Sequence, residues 1–423
     1  MNNLIFLPRF WFILVQDYYL NSKIIVMSKK WLYVSIFLLG ALYFESAGQH
    51  IRPYGFEAAP YLQNLQEKSV SIYWVMNRSS TSWVEYGNSS DLGRISRNSQ
   101  HGLFDANLPV QKAYLTGLKP ATDYYYRTAS VEIQQYGAYD VVFGDTVYSE
   151  VKFFRTPTAK LSEFSFLAFN DVHDRPAFIE DVVERESGFD FVAYLGDIMG
   201  HIDYTDQIIS NVIRPSASFF AGEKPFYWIR GNHEARGSQA RKLIDYIDAP
   251  GNRYYYAFEW GPVYFIVLDS GEDKPDTNQH YFSLVDFDNY RREQSMWLKD
   301  VVESSEFHSA KFRIVLTHFP IYLSEVVARD EIHRHGRAHN QEKFASLLNE
   351  SGVDLLLCGH THRYHVAHPE ENVTNFHVVV GGGNPAQANS TYTRVDFSGD
   401  RLNVSLRYID GSLVEQFTID ASR

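Results

Sequence analysis

The sequence predicts an all-β sandwich followed by an α/β domain. Between residues 52 and 157, stretches with alternating apolar residues, such as SVSIYWVM, are separated by turns rich in glycine, proline and asparagine. This pattern is typical of a β-sandwich. From residue 162 to 420, apolar runs of strand length alternate with helix-like segments, which indicates a sheet that is buried on both faces.

The composition is that of a globular protein. The 423 residues are 45% hydrophobic and 21% charged, and 16% of them are aromatic, which suits strand-rich structure. The formal net charge of −12 argues against a nucleic-acid-binding surface, which would have to be basic. It does not exclude a phosphorylated substrate, because a bound metal ion can supply local positive charge. The oligomeric state stays open.

Residues 1–48 have the layout of an extension followed by an export signal. Met27 precedes a pair of lysines, an apolar run from Trp31 to Phe44, and small residues that end at Gly48. This order predicts that translation starts at Met27 and that a signal peptide is cleaved after Gly48. The apolar run is shorter than the about 20 residues of a membrane span. We therefore expect no stable membrane anchor, with an N-terminal anchor as the alternative.

The cysteine count bears on the compartment. Cys358 is the single cysteine, so no intrachain disulfide can form. Exported eukaryotic proteins commonly use disulfides, and export without them fits a bacterial setting better. The expected location is therefore the bacterial periplasm or the exterior of a bacterial cell.

Potential metal ligands directly follow five of the predicted strands. They are Asp171 and His173 after FSFLAF, Asp197 after FVAYL, Asn232 and His233 after FYWI, His318 after RIVLT, and His360 and His362 after LLLC. Open α/β sheets place their sites at the carboxyl ends of strands, so loops that are distant in sequence can converge there. Taken alone, Asp-x-His is more often a capping aspartate beside a surface histidine, Gly-Asp is usually a turn, and His318 could be a packed core histidine, whereas the two histidines of Gly359-His360-Thr361-His362 are more telling. Five such groups in order are not expected by chance.

The order of these groups is D-x-H, G-D, G-N-H-E, H and G-H-x-H, and it resembles the calcineurin-like metallophosphoesterases over residues 162–420. The resemblance implies a central β-sandwich of two mixed sheets flanked by helices. Residues 52–157 resemble a fibronectin type III module, with Tyr124 in the tyrosine-corner position. Purple acid phosphatases and related secreted phosphoesterases carry such a module ahead of the catalytic domain.

At the matching positions, the resemblance implies two adjacent metal ions. Asp171, His173 and His362 would hold the first ion, Asn232, His318 and His360 would hold the second, and Asp197 would bridge both. These ligand types suit Zn, Mn or Fe, whose identity stays open. His233 would protonate the leaving group as a general acid. The implied reaction is in-line attack of a metal-bridging hydroxide on a phosphate ester.

One position departs from the purple enzymes. They carry a tyrosine three residues after the bridging aspartate, and its phenolate on iron gives their colour. Gly200 occupies that position here. The metal site therefore resembles that of the broader family, whereas only the domain plan resembles the purple enzymes.

The substrate is the least determined feature. Arg236 follows the G-N-H-E block, and we predict that it contacts substrate, because a guanidinium can bind phosphate through two parallel hydrogen bonds. A solvated loop charge is the alternative. A phosphorylated small molecule, hydrolysed as a phosphomonoester, is the leading prediction. A phosphodiesterase or nucleotidase with the same metal centre and a non-catalytic binding protein are the alternatives. Further on, His333, His335 and His339 lie in a charged segment that predicts a solvated helix or loop.

Overall fold

A computed structural model describes residues 52–322, 334–383 and 390–421. The predicted export signal and its extension, residues 1–48, lie outside these ranges. None of the helices in these ranges has the length and apolar character needed to cross a bilayer.

Strands dominate the described residues. They are β1 (Phe56–Gln63), β2 (Ser69–Gly87), β3 (Arg94–Ser96), β4 (Ser99–Gln100), β5 (Leu103–Phe104), β6 (Leu108–Thr116), β7 (Asp123–Tyr136), β8 (Val141–Tyr148), β9 (Lys152–Arg155), β10 (Glu163–Phe169), β11 (Phe191–Leu195), β12 (Phe226–Ile229), β13 (Tyr256–Trp260), β14 (Val263–Val267), β15 (Phe312–Leu316), β16 (Leu355–Cys358), β17 (His365–Ala367), β18 (His377–Val380), β19 (Thr391–Ser398), β20 (Arg401–Tyr408) and β21 (Leu413–Asp420).

The helices of the described residues follow β10 in the sequence. They are α1 (Ala177–Arg185), α2 (residues 205–219), α3 (Phe287–Val302), α4 (Ser305–Ser309) and α5 (residues 334–351). A π-helical turn lies within α2 at Ile209–Ile213 and within α5 at Gln341–Ala345. Short 3₁₀ turns lie at His233–Ala235, Ala240–Asp245, Pro250–Asn252 and Gln279–Tyr281.

The larger sheet, sheet I, joins the N-terminal strands to the strands of the α/β region. Its order is β21-β20-β19-β10-β11-β12-β1-β2-β7-β8, with β3 and β6 against β2 and β9 against β7. The junction is β1, which pairs antiparallel with β2 and parallel with β12, where Gln63 lies opposite Phe226. The strand-rich region at 52–157 is therefore continuous with the next region, and the predicted boundary between 157 and 162 stays a prediction.

The predicted tyrosine corner has the expected local contact. The buried hydroxyl of Tyr124 accepts a hydrogen bond from the backbone amide of Lys119 at 2.9 Å, five residues upstream. This is the contact that such a tyrosine makes in sandwich domains. It supports the fibronectin-like reading of residues 52–157, which stays a prediction.

The second sheet, sheet II, packs against sheet I. Its order is β13-β14-β15-β16-β18-β17, and β14, β15, β16 and β18 run parallel. Aromatic rings fill the space between the sheets. Tyr227 of sheet I stacks on Phe258 of sheet II with ring centroids 3.9 Å apart, and Phe166 meets Phe265 edge-on at 5.6 Å.

Helices cover the outer face of each sheet. The apolar sides of α1 and α2 pack on sheet I through Val182 and Ile208, and those of α3 and α5 pack on sheet II through Leu298 and Leu348. Two mixed sheets flanked by helices are the predicted architecture, which is confirmed. This layering turns the carboxyl ends of β10, β11, β12, β15 and β16 toward one region of the molecule.

Candidate metal centre

The loops after these five strands lie side by side and are joined by backbone hydrogen bonds. The amide of Asp171 donates to the Gly196 carbonyl oxygen, and the amide of His173 donates to the Asp197 carbonyl oxygen, both at 3.0 Å. The amide of Gly359 donates to the His318 carbonyl oxygen at 3.0 Å. Side-chain acceptors complete the links, because the His233 amide donates to Asp197 Oδ1 at 2.9 Å and the His360 amide donates to Asp171 Oδ2 at 2.8 Å. The five loops therefore form one framework for the predicted ligands.

The first predicted ligand group is assembled. Asp171 Oδ1 lies 3.2 Å from His362 Nε2 and 3.8 Å from His173 Nε2. The two Nε2 atoms are 3.0 Å from each other, although the residues are 189 positions apart in sequence. The three ligand atoms thus surround a common point in the way that a metal ion requires.

The second group is assembled around Asp197. Asp197 Oδ2 lies 3.1 Å from His318 Nε2, and a ligand atom of His360 lies within 4.8 Å of both. His318 Nδ1 donates to the Leu195 carbonyl oxygen at 2.8 Å, which directs Nε2 toward Asp197. This arrangement of a histidine held by a backbone carbonyl is common among metal ligands.

Three of the predicted ligand atoms are buried without a hydrogen-bond partner among the described residues. They are Asp171 Oδ1, Asn232 Oδ1 and His318 Nε2. Asp171 Oδ1 and His318 Nε2 have neighbours at 3.2 and 3.1 Å that lie outside hydrogen-bond geometry. An unpaired buried polar atom costs about 1–3 kcal/mol. A group of such atoms in adjoining loops fits the coordination of metal ions, so the residues present suit the implied metals.

The carboxylates of the centre are ionised. Burial by itself raises the pKa of Asp171, but the imidazoles of His173 and His362 outweigh it and hold that pKa well below its usual range. Burial is likewise outweighed at Asp197, where His318 brings the pKa to about 2. Ionised carboxylates are the form that binds a metal, and binding would release any protons that the imidazoles carry.

The backbone around the centre is strained. Five of the seven predicted ligands have φ angles between 47° and 70°, in the left-handed region: Asp171, His173, Asp197, His360 and His362. Non-glycine residues rarely adopt this conformation, and it costs of order 1–3 kcal/mol each. Such positions persist only where the surroundings hold them, and their concentration here is typical of a functional site.

Glycines in the same loops permit the close approach of the strands. A Cβ atom on Gly231 would overlap the Asp197 carboxylate and lie 2.8 Å from Glu234 Oε2. A Cβ atom on Gly359 would overlap Asp171 and lie 2.7 Å from the Cβ of Asn170. The glycines of the G-N-H-E and G-H-x-H blocks are therefore required by contact.

Glu234 has a role that sequence reasoning did not assign. Its fully buried carboxylate accepts hydrogen bonds from the amides of Asp197 (2.9 Å), Met199 (3.0 Å) and Gly231 (2.9 Å). Burial and the neighbouring Asp197 raise its pKa to about 7. Glu234 thus ties the G-D loop to the G-N-H-E loop. Its place in the G-N-H-E block was the only signal in the sequence.

His233 lies beside the metal ligands. Its Nδ1 donates to the Gly200 carbonyl oxygen at 2.6 Å, and its Nε2 lies 3.9 Å from Asp197 Oδ2. Burial lowers the pKa of His233, and Arg236 adds to this effect against that of Asp197. Its ring is 4.8 Å from that of His173, which is also close enough for His233 to serve as a ligand.

Arg236 is held in place by an acid. Its guanidinium donates two hydrogen bonds of 2.7 Å to the buried carboxylate of Glu272, and Nη1 lies 3.2 Å from His233 Nε2. It lines a cavity of about 530 Å³ together with Arg241, Lys274 and Tyr281. Arg236 thus lies between this cavity and His233. Its contact with substrate stays a prediction.

The chain is similar in sequence to one known family and to a curated plant phosphatase. Residues 164–364 match the calcineurin-like phosphoesterase family. Purple acid phosphatase 18 of Arabidopsis thaliana is 24% identical over 320 residues, which are 70% of this chain and 63% of that protein. The chain therefore matches less than two thirds of the length of that relative.

Two solved structures have a similar fold. The purple acid phosphatase PPD1 from yellow lupin (Lupinus luteus) seeds superposes with a TM-score of 0.62 at 16% identity, covering 85% of this chain and 74% of that one. A structure of PhoD superposes with a TM-score of 0.60 at 12% identity, covering 86% and 90%. These two matches show the fold, and residues 164–364, which carry the ligand blocks in order, form a calcineurin-like phosphoesterase domain.

Proposed function

We propose that this chain hydrolyses phosphate monoesters at a centre of two transition metal ions. The buried, unpartnered ligand atoms of Asp171, Asn232 and His318 carry the proposal, because phosphoester hydrolysis in this family depends on metals and these atoms suit metal coordination. A monoester is favoured over a diester because the curated relative matched over 320 residues is a purple acid phosphatase.

The proposed ligand sets follow the two assembled groups. Asp171, His173 and His362 would hold one ion, Asn232, His318 and His360 would hold the other, and Asp197 would be shared by both. Zn, Mn and Fe all suit this mixture of carboxylate, amide and imidazole donors. Such a pair of ions neutralises phosphoryl charge and lowers the pKa of water enough to provide a nucleophile at neutral pH.

His233 is the proposed proton donor to the leaving group. The hydrogen bond from its Nδ1 to Gly200 fixes the ring and directs Nε2 toward the centre. In the neutral ring Nε2 is the acceptor, and it faces Arg236 Nη1 at 3.2 Å. A proton on Nε2 yields the imidazolium, which can give that proton to the departing oxygen. Glu272 keeps Arg236 in reach of both the ring and the cavity.

The cavity beside Arg236 is the proposed site for the rest of the substrate. Arg241 and Lys274 line it, and Tyr281 and the exposed ring of Phe282 add aromatic surface. Glu272 and Asp273 pair with Arg236 and Lys274, and Arg241 adds a further positive charge to the lining. The lining therefore suits an anionic ester on a small molecule.

Turnover on a panel of esters tests the proposal. We expect the metal-loaded chain to hydrolyse phosphomonoesters at least about tenfold faster than diesters, and chelation to abolish both activities. His318→Gln and His362→Gln should each lower the bound metal by one equivalent in elemental analysis. The exposed His308 on α4 provides a matched control, and His308→Gln should retain metal and rate. Faster turnover of diesters or nucleotides would replace the monoesterase assignment, and no turnover by the metal-loaded chain would reject the function.

We further propose that the chain is exported to the bacterial periplasm or exterior. The support is the order of charged, apolar and small residues between Met27 and Gly48 and the single cysteine. N-terminal sequencing of protein expressed from Met27 in a bacterial host should find Gln49 first in the exported fraction. Export with residues 27–48 retained would support an anchor instead.

A further inference from the structure

A second cluster of metal-binding residue types lies outside the proposed centre. Asp288 is near the start of α3, and His335 and His339 are one helical turn apart on α5. Asp288 Oδ1 lies 2.8 Å from His335 Nε2 and 3.1 Å from His339 Nδ1. The predicted solvated segment therefore turns two of its histidines toward a carboxylate, and His333 lies outside the described residues.

Hydrogen bonding alone does not account for this cluster. Arg291 Nη1 also lies 3.0 Å from Asp288 Oδ1, so three nitrogen atoms approach an oxygen that has two lone pairs. His339 Nδ1 has no hydrogen-bond partner in the part of the chain that the structure describes, although the side chain of His339 is only 10% exposed. A buried nitrogen that faces a carboxylate without hydrogen-bond geometry is a donor atom available to a metal ion.

We propose that Asp288, His335 and His339 form a third metal site, which takes Zn²⁺. Histidines at i and i+4 share one face of a helix and can bind a single ion. Asp288 Oδ1 and His339 Nδ1 are 3.1 Å apart, near the about 3.3 Å between donors in a tetrahedral zinc site, and the His335 Nε2 hydrogen bond of 2.8 Å to the same oxygen would have to open to admit the ion. Two imidazoles and one carboxylate oxygen do not suit Ca²⁺ or Mg²⁺, which take oxygen ligands.

Asp288 supplies the negative charge that a zinc ion needs, and a cation lies beside it. The Arg291 guanidinium is the opposing charge. It is fixed by hydrogen bonds to the carbonyl oxygens of Ser270 and Glu272, so it will weaken binding without leaving the site.

A metal ion at this third site would stabilise the contacts that hold Arg236 beside His233. Arg291 donates to the backbone of Glu272, the Glu272 carboxylate holds Arg236, and Arg236 contacts His233. An ion that joins α3 to α5 would restrain Arg291, which is the first residue in this series of contacts. Asp288, His335 and His339 would thus be positioning residues, which touch neither substrate nor the two ions of the centre.

Zinc titration of the chelated full chain tests the third site. A competing zinc indicator would report the stoichiometry for wild type, His335→Gln, His339→Gln and the control His308→Gln. We expect three equivalents for wild type and the control and two for each cluster variant. His335→Gln is the safer variant for folding, because its side chain is already 36% exposed. Circular dichroism before zinc addition checks that each variant is folded.

A companion variant separates the third site from the centre. His362→Gln should bind two equivalents, and His362→Gln combined with His335→Gln should bind one. A wild-type chain that saturates at two equivalents, or a folded His335→Gln chain that still binds as many as His308→Gln, would overturn the third site. Neither result depends on catalysis, so this test can fail while the proposed phosphoesterase stands.

Discussion

His233 and Asp197 are joined by a hydrogen bond of 2.9 Å from the His233 amide to Asp197 Oδ1, yet we expect them to fail in different ways. His233→Ala should keep its metals and lose about 10²–10⁴-fold in turnover, because only the proton donor is removed. The loss should be larger for alkyl phosphates than for nitrophenyl esters, whose leaving group hardly needs a proton. Asp197→Asn should lose metal as well as rate, because an NH₂ group that cannot bind a metal ion replaces one carboxylate oxygen.

Elemental analysis beside steady-state kinetics distinguishes the two variants. If His233→Ala also loses an equivalent of metal, His233 is a ligand, which its 4.8 Å ring contact with His173 allows. If His233→Ala retains both metals and the full rate on alkyl phosphates, another group protonates the leaving oxygen.

The Glu234 carboxylate is held by backbone amides of two neighbouring loops. Its carboxylate accepts three backbone N–H groups, and a glutamine amide cannot accept all three because one terminal atom would itself carry hydrogens. We expect Glu234→Gln to lower the free energy of unfolding by about 1–3 kcal/mol. Urea denaturation with chelator present measures this without the contribution of bound metal. The exposed Glu223 supplies the control, and equal unfolding curves for Glu234→Gln and Glu223→Gln would contradict the bracing role.

At the scale of elements, the loop after β12 depends on the absence of a side chain at Gly231. An added Cβ would overlap Asp197, the proposed bridging ligand. We expect Gly231→Ala to displace that carboxylate, with reduced metal content and a loss of turnover of about 10²-fold, the usual effect of a misplacement of about 1 Å. Gly55 has nothing within 4 Å of an added Cβ, so Gly55→Ala is the matched control. If Gly231→Ala keeps the wild-type metal content and rate, the loop can shift to accommodate the added Cβ atom, which would contradict this prediction.

The strands that carry the site were predictable because their signal is local. FSFLAF, FVAYL and FYWI are apolar apart from Ser165 and become β10, β11 and β12, which are largely buried on both faces. The α5 segment was less predictable. Its histidines were predicted to be solvated, because no neighbouring residue in the sequence indicates that Asp288 of α3 lies against them.

At the scale of the whole molecule, β1 connects the N-terminal strands to the α/β region, so we expect the two regions to unfold together. It belongs to the N-terminal strands through β2 and to the α/β region through β12, and Tyr61 on β1 donates to the Tyr246 carbonyl oxygen at 2.8 Å. We therefore expect one thermal transition by calorimetry. Chelation should lower its midpoint by roughly 3–8 °C, since ions that bind only the native chain stabilise it by mass action. Two separate transitions, or a midpoint unchanged by chelation, would contradict this expectation.

The sequence by itself determined the order of the ligand blocks and the class of layered fold, because apolar runs and the polar residues that end them are adjacent in the chain. Asp171, Asn232 and His318 could each be named in advance for this reason. Only the tertiary structure decided that His173 Nε2 meets His362 Nε2 across 189 residues, that Glu234 closes on three amides, and that Asp288 faces two histidines of α5. These contacts depend on how two sheets and their helices pack, and packing is set by distant side chains together.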